Sequence, residues 1–469
     1  MKLKKVMSVM IAVVLAVVMI PAVGVSAETE GDFVYVLSYG MHGNISAIIE
    51  EYTGSGGEVV IPNTLGEYPV TEIGNYVFYN CDSLTSVVIP DGVTIIGDRA
   101  FDDCDNLTSV TIPNTVTTIN IDAFRNCYSL TSMTIPNSVI FIGESAFFGC
   151  NNLVSVDIGD RVTSIGDWAF SECSSLASVV IPNSVTTIGN SAFRRCTNLA
   201  SVVIPDSVTS ISDYTFEECN SLTNVVIPDS VTTIGYSAFS CCRSLTSVYI
   251  HEEVTSIGDY AFAYCDKLTS IDVDENNTVY KSENGVLFTK NGTTPTTLIL
   301  YPISKPDTSY TIPDGVTTIG NGAFFTCHDI TSVVIPDTVT TIGEATFAEC
   351  HKLASVIIPK SVTCIGDRAF NSCPNLTIYC YEGSYAHTYA IENDIPFVLL
   401  EEPVTTTPGD ATADGKINLA DVSLILKYSA KWNVVPDLNA ADVTDDGKVN
   451  LADASLLLKY IAKWDVVLK

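Results

Sequence analysis

The chain has 469 residues, 46% of them hydrophobic, and a formal net charge of −31. A surface that acidic repels phosphate backbones and anionic headgroups, so nucleic acid and membrane-surface partners are disfavoured. From residue 409 onward nine aspartates face seven lysines, so nearly all the acidity lies upstream of that stretch.

At the N-terminus Lys2, Lys4 and Lys5 precede an apolar run from Val6 to Ile20, followed by Pro21 and Val25-Ser26-Ala27. That order reads as a secretory signal over residues 1–27, cut after Ala27. The run is short of the roughly 20 residues a spanning helix needs. No second run of that length follows, so an exported chain without membrane insertion is expected. Its charge falls to −34 when Lys2, Lys4 and Lys5 leave.

Residues 28–58 precede the first repeat and are expected to cap it. From residue 59 a 23-residue period takes over, as in "LTSVVIPDGVTIIGDRAFDDCDN" from Leu84 and "LASVVIPNSVTTIGNSAFRRCTN" from Leu176. Phe101, Phe124, Phe147 and Phe170 share one column, and Ile89, Ile112, Ile135 and Ile158 another. A fixed period with one apolar signature means that each unit buries its face against its neighbours, which is a solenoid. Within a unit Leu-x-x-Val-x-Ile alternates like a strand that the proline ends, and Gly-Asp-x-Ala-Phe turns the chain back. An irregular insertion at about 272–310 reads as one or two hairpins laid against the stack. A C-terminal cap closes the solenoid by residue 400.

This period and core resemble leucine-rich repeats, and the "IPDSVTTIG" wording, with its Ala-Phe and Cys, is similar to the BspA-like subclass found on bacterial surface proteins. The resemblance implies a leucine-rich-repeat solenoid of short strands plus turns or short helices, and adhesion to host or matrix proteins.

Twelve of the fifteen cysteines follow the repeat phenylalanine by three residues. An inward-facing row of buried thiols is expected, although an exported chain can form disulfides. Asp98, Glu144, Asp167, Asp213, Asp259, Glu344 and Asp367 form an acidic column. Coils about 4.8 Å apart would place these carboxylates near a glycosidase separation in every coil, so proximity alone marks no active site, and capping of a helical turn is expected instead. His328 and His351 could meet on one edge, but two imidazoles make a poor metal site. Trp168, Tyr214 and Tyr260 recur every second coil, at about 10 Å. In a column that also holds Arg99 and Ser191 they are expected to be exposed, and they could stack on alternate sugars of a glucan.

After the Pro/Thr linker over 401–408 comes "DATADGKINLAD" from Asp410 and "DVTDDGKVNLAD" from Asp442. Each places oxygen-bearing side chains at alternating positions around a glycine turn, Gly415 or Gly447, the spacing of a calcium loop. An amphipathic helix follows each loop, and no comparable helix leads into either. Residues 409–469 resemble a type I dockerin, a small all-α calcium-binding module that docks on cohesin domains of a scaffoldin. By position the resemblance gives Asp410, Thr412, Asp414, Asn418 and Asp421, with the Lys416 carbonyl, to one Ca2+. Asp442, Thr444, Asp446, Asn450 and Asp453, with the Lys448 carbonyl, go to a second. The cohesin-facing positions fall on Leu419, Ala420, Leu426, Lys427 and Lys431, and on Leu451, Ala452, Leu458, Lys459 and Lys463.

The expected function is therefore that of a secreted, non-catalytic binding protein, anchored to a scaffoldin and contributing to plant polysaccharide breakdown. Its solenoid ligand would be a protein or a cell-wall polysaccharide. The alternative is a dockerin-borne polysaccharide hydrolase, which no nucleophile elbow or metalloprotease motif supports.

Overall fold

The computed structural model describes residues 27–40, 43–400, 408–412, 414–431, 436, 438–446 and 448–463. The signal segment through residue 26, linker residues 401–407 and Gly447 lie outside the described residues. Two compact units emerge, one ending at Val398 and the other starting at Leu399.

In the first unit each coil contributes two short parallel strands. One is Ser178–Val180, Ser201–Val203 or Asn224–Val226, and the other a two-residue Thr-Ile step such as Thr187–Ile188. Identical positions pair across the period, Val179 with Val202 and Ile165 with Ile188. Slipping the register by one residue would turn Val202 out and Val203, now 61% exposed, into the core. The Thr-Ile strand was not legible in the sequence, because two residues show no period.

The turn behind the strands is tight and left-handed. A Cβ at Gly166 would lie 2.7 Å from the backbone of Gly143 in the preceding coil, so close stacking there requires glycine. Trp168 and Glu172, at φ 52° and 62°, are non-glycine residues in the left-handed region, and nearly every coil repeats both. This conformation costs about 1 to 2 kcal/mol per residue. It is offset by coil-to-coil hydrogen bonds: the N–H groups of Trp168, Phe170 and Glu172 donate to Asn190, Ala192 and Arg194 at 2.8 to 2.9 Å.

The core is a ladder of rings. Phe101 through Phe262 stack at 5.0 to 5.6 Å within 12° of parallel. Burying each side chain contributes about 1.5 to 3 kcal/mol. Beside the ladder the cysteine thiols stay unpaired. The Cys150 thiol donates to the Phe124 carbonyl at 3.2 Å, and burial pushes its pKa up to about 12.

Three antiparallel strands, Glu28–Glu30, Phe33–Tyr39 and Ile45–Tyr52, begin the sheet and continue in parallel into Tyr68–Ile73. At the other end stand strand Thr377–Tyr381, helix α1 (Tyr385–Glu392) and strand Phe397–Leu400. The insertion differs from its expected place. Strands Tyr280–Glu283, Val286–Asn291 and Thr294–Leu300 run antiparallel, and the last pairs in parallel with Thr318–Ile319. The hairpins are thus built into the stack rather than laid against it, because Leu298 and Ile319 share the repeat register. There the buried core separates into two clusters.

The second unit holds α2 (Leu419–Ser429), α3 (Leu438–Ala441) and α4 (Leu451–Ile461). Short α3 leads into the second loop, where the sequence suggested no helix. Its four residues are too few to show a 3.6 period. Val422, Ile425, Val443 and Leu457 lie in a small core. Among the described residues no helix is long and apolar enough to cross a membrane.

Candidate functional site

The turn edge of the solenoid carries the aromatic column. Trp168 is 38% exposed, whereas Tyr214 and Tyr260 are half-buried. The intervening Ser191 and Ser237 are buried, so this column is not uniformly exposed as its polarity suggested. Small hydroxyl side chains can be covered by their neighbours. Tyr236, from the adjacent acidic column, meets both tyrosines edge-on, with centroids 5.3 Å from Tyr214 and 5.8 Å from Tyr260. The outcome is a contiguous tyrosine ridge with Trp168 outside it. Sequence reasoning missed Tyr236, whose only signal was an aromatic residue in an acidic column.

The acidic column caps no helix, because the turn behind it is not helical. Two of its seven carboxylates, Asp167 and Asp213, instead accept the N–H of the same position in the next coil. Asn190 N–H donates to Asp167 Oδ1, and Tyr236 N–H to Asp213 Oδ1, both at 2.7 Å. Asn321 does the same for Glu344 N–H at 2.9 Å, which explains why asparagine substitutes there. His328 and His351 stack at 5.4 Å, and His351 Nδ1 lies 3.1 Å from the Ser372 carbonyl oxygen. Asp102 was not anticipated. It is fully buried, 3.6 Å from Arg125 and 3.9 Å from Arg99, and neither oxygen accepts a hydrogen bond. Burial, then the charge of Asp103, push its pKa up to about 6 against the pull of Arg125.

The two loops of the second unit superimpose in their bonding. In the first, Thr412 Oγ1 lies 2.8 Å from Asp421 Oδ1 and 3.4 Å from Asp410 Oδ1. In the second, Thr444 Oγ1 lies 2.8 Å from Asp453 Oδ1 and 3.4 Å from Asp442 Oδ1. Backbone N–H groups of Asp414 and Gly415 fix Asp410. Those of Lys416 and Lys448 donate to Asp414 and Asp446 at 2.9 Å. Asp421 and Asp453 are fully buried, yet their hydrogen-bond donors are neutral. Buried carboxylates without a cationic partner are costly, so this donor set suits a hard cation. Among the described residues no three acidic, histidine or cysteine side chains form one metal cluster. Further oxygens would come from Thr412, Thr444, Asn418, Asn450 and the main chain.

A profile of the BspA-type leucine-rich repeat region matches residues 71–200, 186–288 and 304–393, and one of the type I dockerin domain matches 408–462. The chain belongs to the BspA-type leucine-rich repeat family and ends in a type I dockerin. Among solved structures, a leucine-rich repeat protein of Bacteroides ovatus is 26% identical, covering 80% of this chain and 100% of that one at a TM-score of 0.57. A leucine-rich cell surface protein of Faecalibacterium prausnitzii is 32% identical over 78% of this chain and 97% of that one, at a TM-score of 0.48. No curated protein matches.

In the dockerin the two loop-helix units are near copies in exposure as well as sequence. Leu419 and Leu451 are 63% and 64% exposed, Leu426 and Leu458 41% and 43%. Ala420, Lys427, Lys431, Ala452, Lys459 and Lys463 are exposed too. The loops also build the helices. Asn418 and Asp421 form a capping box at α2, and Asn450 and Asp453 another at α4. Asn-x-x-Asp was legible as that box, a second role that the calcium spacing obscured.

Proposed function

We propose that this protein is an exported, non-catalytic component of a cellulosome-like assembly. Its dockerin, loaded with two Ca2+, docks on a cohesin domain of a scaffoldin. Its solenoid holds a protein or cell-wall polysaccharide, which contributes to plant polysaccharide breakdown at the cell surface. The observation that carries the docking is the duplicated loop-helix unit with matched exposure at each cohesin-facing pair. Asp410, Thr412, Asp414, Asn418, Asp421 and the Lys416 carbonyl would hold one ion; Asp442, Thr444, Asp446, Asn450, Asp453 and the Lys448 carbonyl the other. The ions would supply the positive charge that Asp421 and Asp453 lack. Trp168 and the ridge of Tyr214 and Tyr260 offer stacking faces to a glycan.

Matched faces give near-equal binding free energies in two orientations, so blocking one shifts the complex to the other. Leu426→Asp with Lys427→Asp, or Leu458→Asp with Lys459→Asp, is expected to change cohesin affinity by about twofold, the statistical loss of one of two equal modes. Combining both pairs abolishes binding in titration calorimetry. Loss of binding from one pair alone, with the other silent, sinks the two-way docking and leaves a single face.

A further inference from the structure

In regular coils the residue two places after the turn-glycine position donates its N–H to the carbonyl of the next coil, a rung to which in some coils the side chain one place earlier adds a second bond. Asp213 Oδ1 accepts from Tyr236 N–H at 2.7 Å, and Tyr214 N–H donates to the Tyr236 carbonyl at 2.9 Å. After Asp259 and Tyr260 this rung is missing. The inserted hairpins displace the successor coil, and the next turn of this kind is Gly320-Asn321-Gly322. Among the described residues the Asp259 carboxylate accepts no hydrogen bond, and neither the Tyr260 nor the Asn321 N–H donates one.

The gap is refilled only in part. Tyr301 N–H donates to the Ala323 carbonyl at 2.8 Å in the middle of the missing coil. On the far flank the rings of Tyr264 and Phe325 meet edge-on at 4.8 Å. The near flank stays open as a cleft of about 70 Å³ whose lining includes Asp259, Tyr260, Leu300 and Asn321. The Tyr260 ring reaches across to Gly322, where a Cβ would lie 3.0 Å from Tyr260 Cε1. Gly322 stands in the left-handed column that holds Trp168, Tyr214 and Arg368 elsewhere.

One wall thus offers an acceptor, the Asp259 carboxylate, and a donor, the Tyr260 N–H. The other offers the Asn321 N–H and carbonyl. Two hydroxyls on adjacent carbons fit both walls, since each donates and accepts. An anion is repelled by Asp259, and a peptide strand finds no passage where Tyr260 bridges to Gly322. The volume corresponds to about five waters at roughly 15 Å³ each, which admits one edge of a single sugar. Tyr236 and Tyr214 continue from Tyr260 as apolar faces. We infer that the cleft between Asp259 and Asn321 binds the vicinal diol of a neutral sugar, at one end of a glycan laid along the tyrosine ridge. This rests on the reading that the solenoid's ligand is a glycan.

Calorimetry on the full-length protein with soluble tetrasaccharides of β-linked glucose, mannose and xylose tests it. One of them is expected to bind, and its periodate-oxidised form, which lacks vicinal diols, is not. Asp259→Ala should weaken binding at least about tenfold, the value of a hydrogen bond to a charged group. Its melting temperature should not move, because the carboxylate holds no bond in the fold. Asp98→Ala, the same change in a distant coil, should leave affinity intact. Unchanged affinity in Asp259→Ala, with loss in Tyr214→Ala, overturns the subsite and keeps the glycan reading. No binding of any tetrasaccharide overturns both.

Discussion

Phe147 in the solenoid and Asp421 in the dockerin are both fully buried, yet they are held by different physics. Phe147 lies between Phe124 and Phe170 at 5.4 and 5.2 Å, so its environment is made by neighbouring copies of itself. Asp421 takes hydrogen bonds from Thr412 and Asn418, and it carries a charge that these neutral donors do not cancel. A solenoid gains stability coil by coil from apolar contact between neighbours. A module of about 60 residues buries little core, and a cation bound in its loops would add folding free energy.

The largest expected effect breaks this pair apart. Chelation with EDTA should collapse hydrogen-exchange protection over residues 408–463, while residues 33–381 keep theirs. Retained protection of α2 and α4 in EDTA would show that the dockerin folds by packing alone. Next, Phe147→Ala should cost about 3 to 5 kcal/mol, since a ring removed from mid-ladder leaves a cavity with flanking rings fixed on both sides. Chemical denaturation in calcium and in EDTA should give the same loss for the solenoid transition. A calcium-dependent loss would mean that the two units are not separate in stability.

The smallest effect asks whether the solenoid, too, holds an uncompensated charge. Asp102 has its folded pKa raised from 3.8 to about 6, so the folded state keeps the proton more tightly than the unfolded chain does. Stability from this group is complete below pH 4 and is lost as pH rises to about 6. Asp102→Asn should therefore be stabilising by about 2 to 3 kcal/mol at pH 7 and close to neutral near pH 4. A destabilised Asn variant at pH 7 would mean that Arg99 and Arg125 more than offset the burial.

The sequence by itself determined the solenoid, its inward columns and the dockerin. A 23-residue period repeats each apolar contact often enough to outvote local ambiguity, and the loop spacing around Gly415 marked the segment that the dockerin profile matches. The buried cysteine row was legible for the same reason. Only the tertiary structure decided what neighbouring coils do to each other. In the acidic column Asp167 and Asp213 hold an N–H of the next coil rather than a helix terminus, because the turn is left-handed rather than helical. Tyr236 joined Tyr214 and Tyr260 because adjacent columns meet at the turn edge, a proximity that no single column displays. The hairpins at 280–300 entered the stack because Leu298 takes the register of Ile319, and that choice left Asp259 and Asn321 facing across a gap. A repeat can be read from one sequence, whereas the consequence of breaking it depends on what comes to lie opposite the break.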